Sequence, residues 1–197
     1  MQNLKIILAS ASPRRRQILT LAGINHEVMV SNADETIEGA PDYQVRELAL
    51  RKGLAVLNTL KPTDAIIISA DTLVYINDKV LGKPKDKTHA FSMLKNLQGN
   101  PHKVYTGVAL INVKTGEQKS FVDATTVYFH PLTDDDINAY IKTGEPFDKA
   151  GAYGIQERGA VLVDRIEGDY YTVVGLPISK VCKELNLMGY DVWGIDK

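Results

Sequence analysis

The run Ala65-Ile66-Ile67-Ile68-Ser69-Ala70 leaves this chain few ways to fold. A strand apolar on both faces has to be covered on both, which places it at the centre of a layered sheet. Asp71 and Thr72 follow it directly. The reading puts them at the C-terminal end of a central strand, where α/β sheets carry their ligands. A carboxylate there can hold a divalent cation or take a proton from water, and an Asx-type turn is the simpler alternative.

The surrounding pattern predicts alternating elements. Strands at 4–9 and 26–31 flank a helix at 13–23, and a long helix at 42–59 precedes the apolar strand at 65–70. A hairpin pairs Leu73–Ile76 with Lys79–Leu81 around Asn77-Asp78, and a helix follows at 87–97. The second half is richer in strands: Lys103–Val113, Gln118–Phe129, Val161–Ile166 and Tyr170–Val174, with a helix at 134–143 and another after Pro177. This alternation predicts an α/β protein with a mixed sheet.

Composition narrows the function. With 197 residues, 44% of them hydrophobic, the chain can bury a core as one domain or two lobes. A net charge of −1 excludes broad electrostatic binding to nucleic acid, so anion recognition has to be local. The single cysteine, Cys182, excludes an intrachain disulfide and a multi-cysteine metal site, and its helical pattern with Ile178, Val181 and Leu185 predicts a buried thiol. No apolar run is long enough to span a membrane, and the N-terminal segment lacks signal-peptide organisation. These features predict a soluble protein of the cytoplasm.

Local anion recognition has an evident place. The apolar run Ile6-Ile7-Leu8 passes through Ser10-Ala11-Ser12 into Pro13-Arg14-Arg15-Arg16. Ser12 suits an N-cap and Pro13 the first helical position, so free backbone N–H groups and the positive end of a helix meet guanidinium forks. At about 100° per residue, Ile18, Leu19, Leu21 and Ala22 form one apolar face. Arg14 and Arg15 flank that face and are read as reaching into a cleft, with Arg16 on the solvent side; three surface arginines on an amphipathic helix are the plainer alternative.

Other residues break their local pattern. Lys52 falls in the apolar stripe of Val45, Leu48, Ala49 and Val56. Burying an ammonium is costly, so Lys52 either snorkels outward or enters a polar cleft to meet an anion. Arg46 and Arg51 lie off the stripe. Gly82 and Pro84 frame Lys83 on a tight loop, although a surface lysine is the simpler reading. The segment 148–156, Asp-Lys-Ala-Gly-Ala-Tyr-Gly-Ile-Gln, has no period and suits a loop packed against a ligand. Gln156 offers a donor and an acceptor to the edge of a base, and Tyr153 could equally fill a core. His26, His89, His102 and His130 show no metal spacing, and Thr133 before Asp134-Asp135-Asp136 reads as a capped helix start.

Seven of these segments, in order, resemble the Maf family of nucleoside triphosphate pyrophosphatases. They are LASASPRR at 8–15, Asp34-Glu35, LALRKGLAV around Lys52, SADT at 69–72, LGKP at 81–84, DKAGAYGIQ at 148–156 and GDYYTVVGLP at 168–177. The resemblance implies one domain over 1–197, a mixed twisted sheet in two lobes around a central cleft, related to the inosine triphosphate pyrophosphatases. It implies cleavage between the α and β phosphates of a nucleoside triphosphate. By motif, Asp71 matches the catalytic proton acceptor, and Arg14, Thr72 and Gln156 match positions tied to substrate choice. Ser10, Arg15, Glu35, Lys52 and Lys83 match the other polar positions. Glu35 and Asp71 would hold Mg²⁺ or Mn²⁺. The AGAYGIQ form is similar to the branch acting on dTTP and UTP; 7-methyl-GTP, inosine triphosphate and a non-enzymatic role in septum formation are the alternatives. A homodimer is plausible on the same ground. Glu157 departs from the family, which often has glycine after the glutamine.

Overall fold

The computed structural model describes residues 4–194. Their order is β1 (Lys5–Leu8), α1 (Pro13–Leu21), β2 (His26–Val28), α2 (Pro41–Leu57), β3 (Ala65–Ile76), β4 (Lys79–Leu81), α3 (Lys87–Leu97), β5 (Pro101–Asn112), β6 (Gln118–Phe129), α4 (Asp134–Lys142), β7 (Val163–Glu167), α5 (Tyr170–Val174) and α6 (Ile178–Leu187). The strands form one seven-stranded mixed sheet in the order β2-β1-β3-β5-β6-β7, with β4 paired to β3. The expected α/β class with a mixed sheet is what the chain forms.

By contacts the chain divides into two compact units. The first holds the described chain up to Asp71, then Thr106–Asp123, and the described chain from Gly175 onward. In it, β1 runs parallel to β2 and to β3, in register from Lys5–Ala65 to Leu8–Ile68. Ile66, Ile67 and Ile68 are fully buried, as a strand covered on both faces should be. Helix α2 reaches the sheet closely because small residues let it. A Cβ on Gly53 would stand 2.7 Å from Ser69 Oγ and 2.8 Å from Ile111 Cδ1, and a Cβ on Gly107 would collide with the Val45 carbonyl. Ser69 Oγ then donates to the Ala49 carbonyl at 2.6 Å.

The second unit comprises Thr72–Tyr105 and Ala124–Val174. Helices α3 and α4 pack Leu94, Leu97, Ile137 and Ile141 against Val74, Val104, Val127 and Phe129. Thr133 and Asp136 close a reciprocal capping box at the start of α4, as expected. Tyr153 is a core aromatic: its hydroxyl meets His102 Nε2 at 2.7 Å, and its ring packs edge-on to Phe129.

Three expectations are corrected here. Residues 65–76 form one unbroken strand, so Asp71 and Thr72 lie in mid-strand and not at its end. The parallel partner β1 stops at the Leu8–Ile68 pair and the hairpin partner β4 begins at Val74–Leu81, so these two residues lie past the one and short of the other, and both are half-buried. Residues 157–162 form a 3₁₀ turn before a strand that starts at Val163, not Val161. Tyr170–Val174 is a short helix, although its aromatic and β-branched residues favour a strand. Its ladder ends at Glu167, Gly168 turns at φ +133°, and Asp169 Oδ1 accepts the Tyr171 N–H at 2.6 Å to start the helical turn.

Candidate active site

The N-terminal turn is built as its residues dictate. Ser12 caps α1 by accepting the Arg15 N–H at 3.5 Å, with Pro13 in the first turn. Ser10 is buried, and its Oγ accepts from Ser12 N at 3.2 Å and from Arg15 Nη1 at 3.1 Å. Arg15 Nε donates to the Gly175 carbonyl at 2.8 Å. Arg14 and Arg15 are half-buried and Arg16 is exposed, which follows the helical phase. Leu21 does not, being 70% exposed. The helix ends there, and the apolar anchor passes to buried Ile24 beyond the turn.

Lys52 meets an anion, and the anion belongs to the chain. With α2 held close to β3, its ammonium donates to Asp71 Oδ1 at 2.6 Å and stands 3.2 Å from Glu35 Oε1. The Lys52 and Asp71 side chains are 13% and 14% exposed, whereas Glu35 is 65% exposed. Burial lowers the Arg15 pKa from its ordinary value, and the negative charges of Asp71 and Glu35 oppose that shift. Ser10, Arg14, Arg15, Glu35, Lys52 and Asp71 are therefore one cluster within the first unit. The pair Asp34-Glu35 divides its labour: Asp34 Oδ1 accepts the Thr36 N–H at 2.9 Å, a bond that lowers the Asp34 pKa, while Glu35 faces Lys52.

Thr72, Lys83 and Gln156 belong to the second unit. Thr72 is half-buried on β3, Lys83 is exposed and Gln156 is half-buried. Gly82 does not take the unusual backbone angle expected of it; its carbonyl instead accepts the Gly151 N–H at 3.0 Å, tying the Lys83 loop to the segment before Gln156. Glu157 carries the unusual angle instead, with φ +55°. The position where the family often has glycine thus keeps a glycine-like conformation. Cys182 is half-buried instead of buried, and burial raises its pKa, which keeps the thiol protonated. Tyr140 and Glu145, which hydrogen-bond the Gln156 loop, carry no sequence signal beyond an unremarkable Tyr-x₄-Glu spacing.

A divalent ion suits this cluster chemically. Mg²⁺ and Mn²⁺ take hard oxygen ligands, commonly one or two carboxylates completed by substrate phosphates. Glu35 and Asp71 already share a cation in Lys52, so their oxygens converge. No group of three or more His, Cys, Asp or Glu suited to a metal occurs among the described residues. Substrate and solvent oxygens would have to complete the shell.

A family model described as Maf-like protein matches residues 5–188. The chain belongs to the Maf family. Relatives are similar over nearly their full length. A Thermoanaerobacter pseudethanolicus protein is 51% identical over 179 residues, which is 90% of this chain and 93% of that one. A Clostridium novyi protein is 48% identical over 192 residues, 96% and 100% of the two chains. A Moorella thermoacetica protein is 49% identical over 192 residues, 96% and 98%. Each of these Maf relatives bears the name dTTP/UTP pyrophosphatase. No helix of this Maf-family chain, among the described residues, is long and apolar enough to cross a membrane.

Proposed function

We propose that this chain is a nucleoside triphosphate pyrophosphatase that hydrolyses dTTP and UTP between the α and β phosphates, giving the monophosphate and pyrophosphate. The names of relatives about half identical to it support the substrate class. The observation that carries the chemistry is the Lys52–Asp71 contact of 2.6 Å, flanked by Arg15 and Glu35. A half-buried carboxylate in contact with an ammonium is placed to take a proton from water, and cations beside it are suited to a polyanion.

In this reading Asp71 accepts the proton of the attacking water as the anhydride bond breaks. Lys52, Arg14, Arg15 and Lys83 offset the triphosphate charge, and the Ser10 hydroxyl keeps the Arg15 fork in place. Phosphoryl transfer needs mostly positioning and charge stabilisation, which is what such a cluster offers. Glu35 and Asp71 would hold Mg²⁺ or Mn²⁺, whose contribution is to neutralise phosphate charge. Thr72 and Gln156 take part in base choice, Gln156 through an amide that can match an imide edge. The net charge of −1 supports a free nucleotide over nucleic acid as the partner. A cytoplasmic setting and a homodimer complete the proposal; light scattering tests the latter.

A panel of nucleoside triphosphates with Mg²⁺ or Mn²⁺, assayed for released pyrophosphate, tests the function. The expected result is a clear preference for dTTP and UTP. Preference for 7-methyl-GTP or inosine triphosphate would replace the substrate. Silence on every nucleotide would overturn the enzyme reading.

A further inference from the structure

The loop carrying Gln156 is a closed turn held from one side. Gly154 and Gly159 meet at its neck, where a Cβ on Gly159 would run into the Gly154 carbonyl oxygen. Two side chains seize both limbs. The Tyr140 hydroxyl accepts the Gly154 N–H at 3.2 Å and donates to Glu145 Oε1 at 3.0 Å. Glu145 Oε1 also accepts the Gly159 N–H at 3.1 Å, and Oε2 accepts the Arg158 N–H at 3.2 Å. Glu145 is itself fixed: Lys149 Nζ donates to its carbonyl at 2.8 Å, and its own N–H donates to Thr143 Oγ1 at 3.1 Å. Tyr140 is 5% exposed and rooted in the core on α4. Between the gripped limbs sit Gln156 and Glu157, the latter at φ +55°. Backbone in that region persists where its surroundings over-determine it, and these bonds do so.

A glutamine amide cannot select a base unaided. Rotation about its last torsion exchanges donor and acceptor, so it can face uracil and thymine, or cytosine, equally well. Selection needs the amide's position and orientation set from outside. We infer that Tyr140 and Glu145 are positioning residues for base choice, acting by fixing the shape of the 154–159 loop that presents Gln156. The inference rests on the proposed role of Gln156. It assigns to a phenol and a carboxylate, neither touching substrate, part of the discrimination between an imide-bearing base and cytosine.

The test measures kcat/KM for dTTP and for CTP in the parent protein, Gln156→Ala, Tyr140→Phe and Glu145→Gln, with inhibition by inorganic tripolyphosphate as a base-independent probe. Tyr140→Phe removes one oxygen and keeps the ring in the core, so it carries the test even if Glu145→Gln fails to fold. Tyr140→Phe loses the bond from Gly154 and the bond to Glu145, and even one such bond should cut the dTTP-to-CTP ratio by about fivefold. Tripolyphosphate inhibition should stay within about twofold, because uniform phosphate binding is untouched. An unchanged ratio in Tyr140→Phe, or a parallel fall in both nucleotides and in tripolyphosphate affinity, would overturn the positioning role. A ratio that survives Gln156→Ala would instead overturn the reading of Gln156 on which it rests.

Discussion

The Lys52 ammonium lies 2.6 Å from Asp71, with 13% and 14% of the two side chains exposed. At that depth neither charge is well hydrated, and the contact offsets part of the cost of desolvating the two. Glu35, at 3.2 Å and 65% exposed, is the second and weaker partner of Lys52.

Asp71→Asn separates chemistry from folding. Pyrophosphate release from dTTP should fall by about 10²–10⁴, the usual contribution of a positioned proton acceptor. Glu35 still pairs with Lys52 in this variant, so the stability cost should be about 1–3 kcal/mol in urea unfolding. Near-normal turnover would remove Asp71 from the reaction.

Gly107→Ala tests how Lys52 is delivered. The added methyl would strike the Val45 carbonyl, forcing α2 away from the sheet. Overpacking of this kind costs about 1–3 kcal/mol, and here backbone, not a flexible side-chain tip, has to yield. Thermal unfolding should register the loss, and the displaced helix should carry Lys52 away from Asp71, lowering turnover in the molecules that remain folded.

Glu157→Gly should stabilise the chain. A residue bearing a Cβ at φ +55° bears about 1–2 kcal/mol of local cost, which glycine avoids, less its greater freedom when unfolded. The net expectation is a gain of about 0.5–1 kcal/mol by denaturant titration. A loss would mean that the Glu157 side chain makes a stabilising contact outweighing its backbone angle.

His102 sets an acid limit. Burial lowers its pKa from 6.5 to about 4, so between those values the unfolded chain holds the proton and the native one does not. Stability from this group is therefore full above about pH 6.5 and falls as the pH drops toward 4, by roughly 3 kcal/mol in all. Urea titrations at pH 7 and pH 4.5 should show that slope, and His102→Gln should flatten it.

How much of this was legible depended on the range of the forces involved. The phase of one helix separated Arg15 from Arg16, and an ammonium in an apolar stripe marked Lys52, because both are local periodicities. The same reasoning overreached at Leu21, where the helix simply stops. Asp71 was legible as a special residue but not as a mid-strand one, since β1, the partner that ends just short of it, lies far away in sequence. Tyr170–Val174 read as a strand because propensity cannot see Asp169 capping the turn. Tyr140 and Glu145 were invisible for a related reason: their partners are backbone N–H groups, which every residue has.

Arg15 Nε donates to the carbonyl of Gly175, 160 positions later. Synthesis runs toward the C-terminus, so the ribosome makes the serine–arginine turn well before the carbonyl that steadies it. A nascent chain that has not yet released Gly175 holds the serines and the arginines but lacks the acceptor for Arg15 Nε. That bond is thus a late event in the making of each molecule, and the fork of Arg15 is steadied only once 160 further residues have been joined to it.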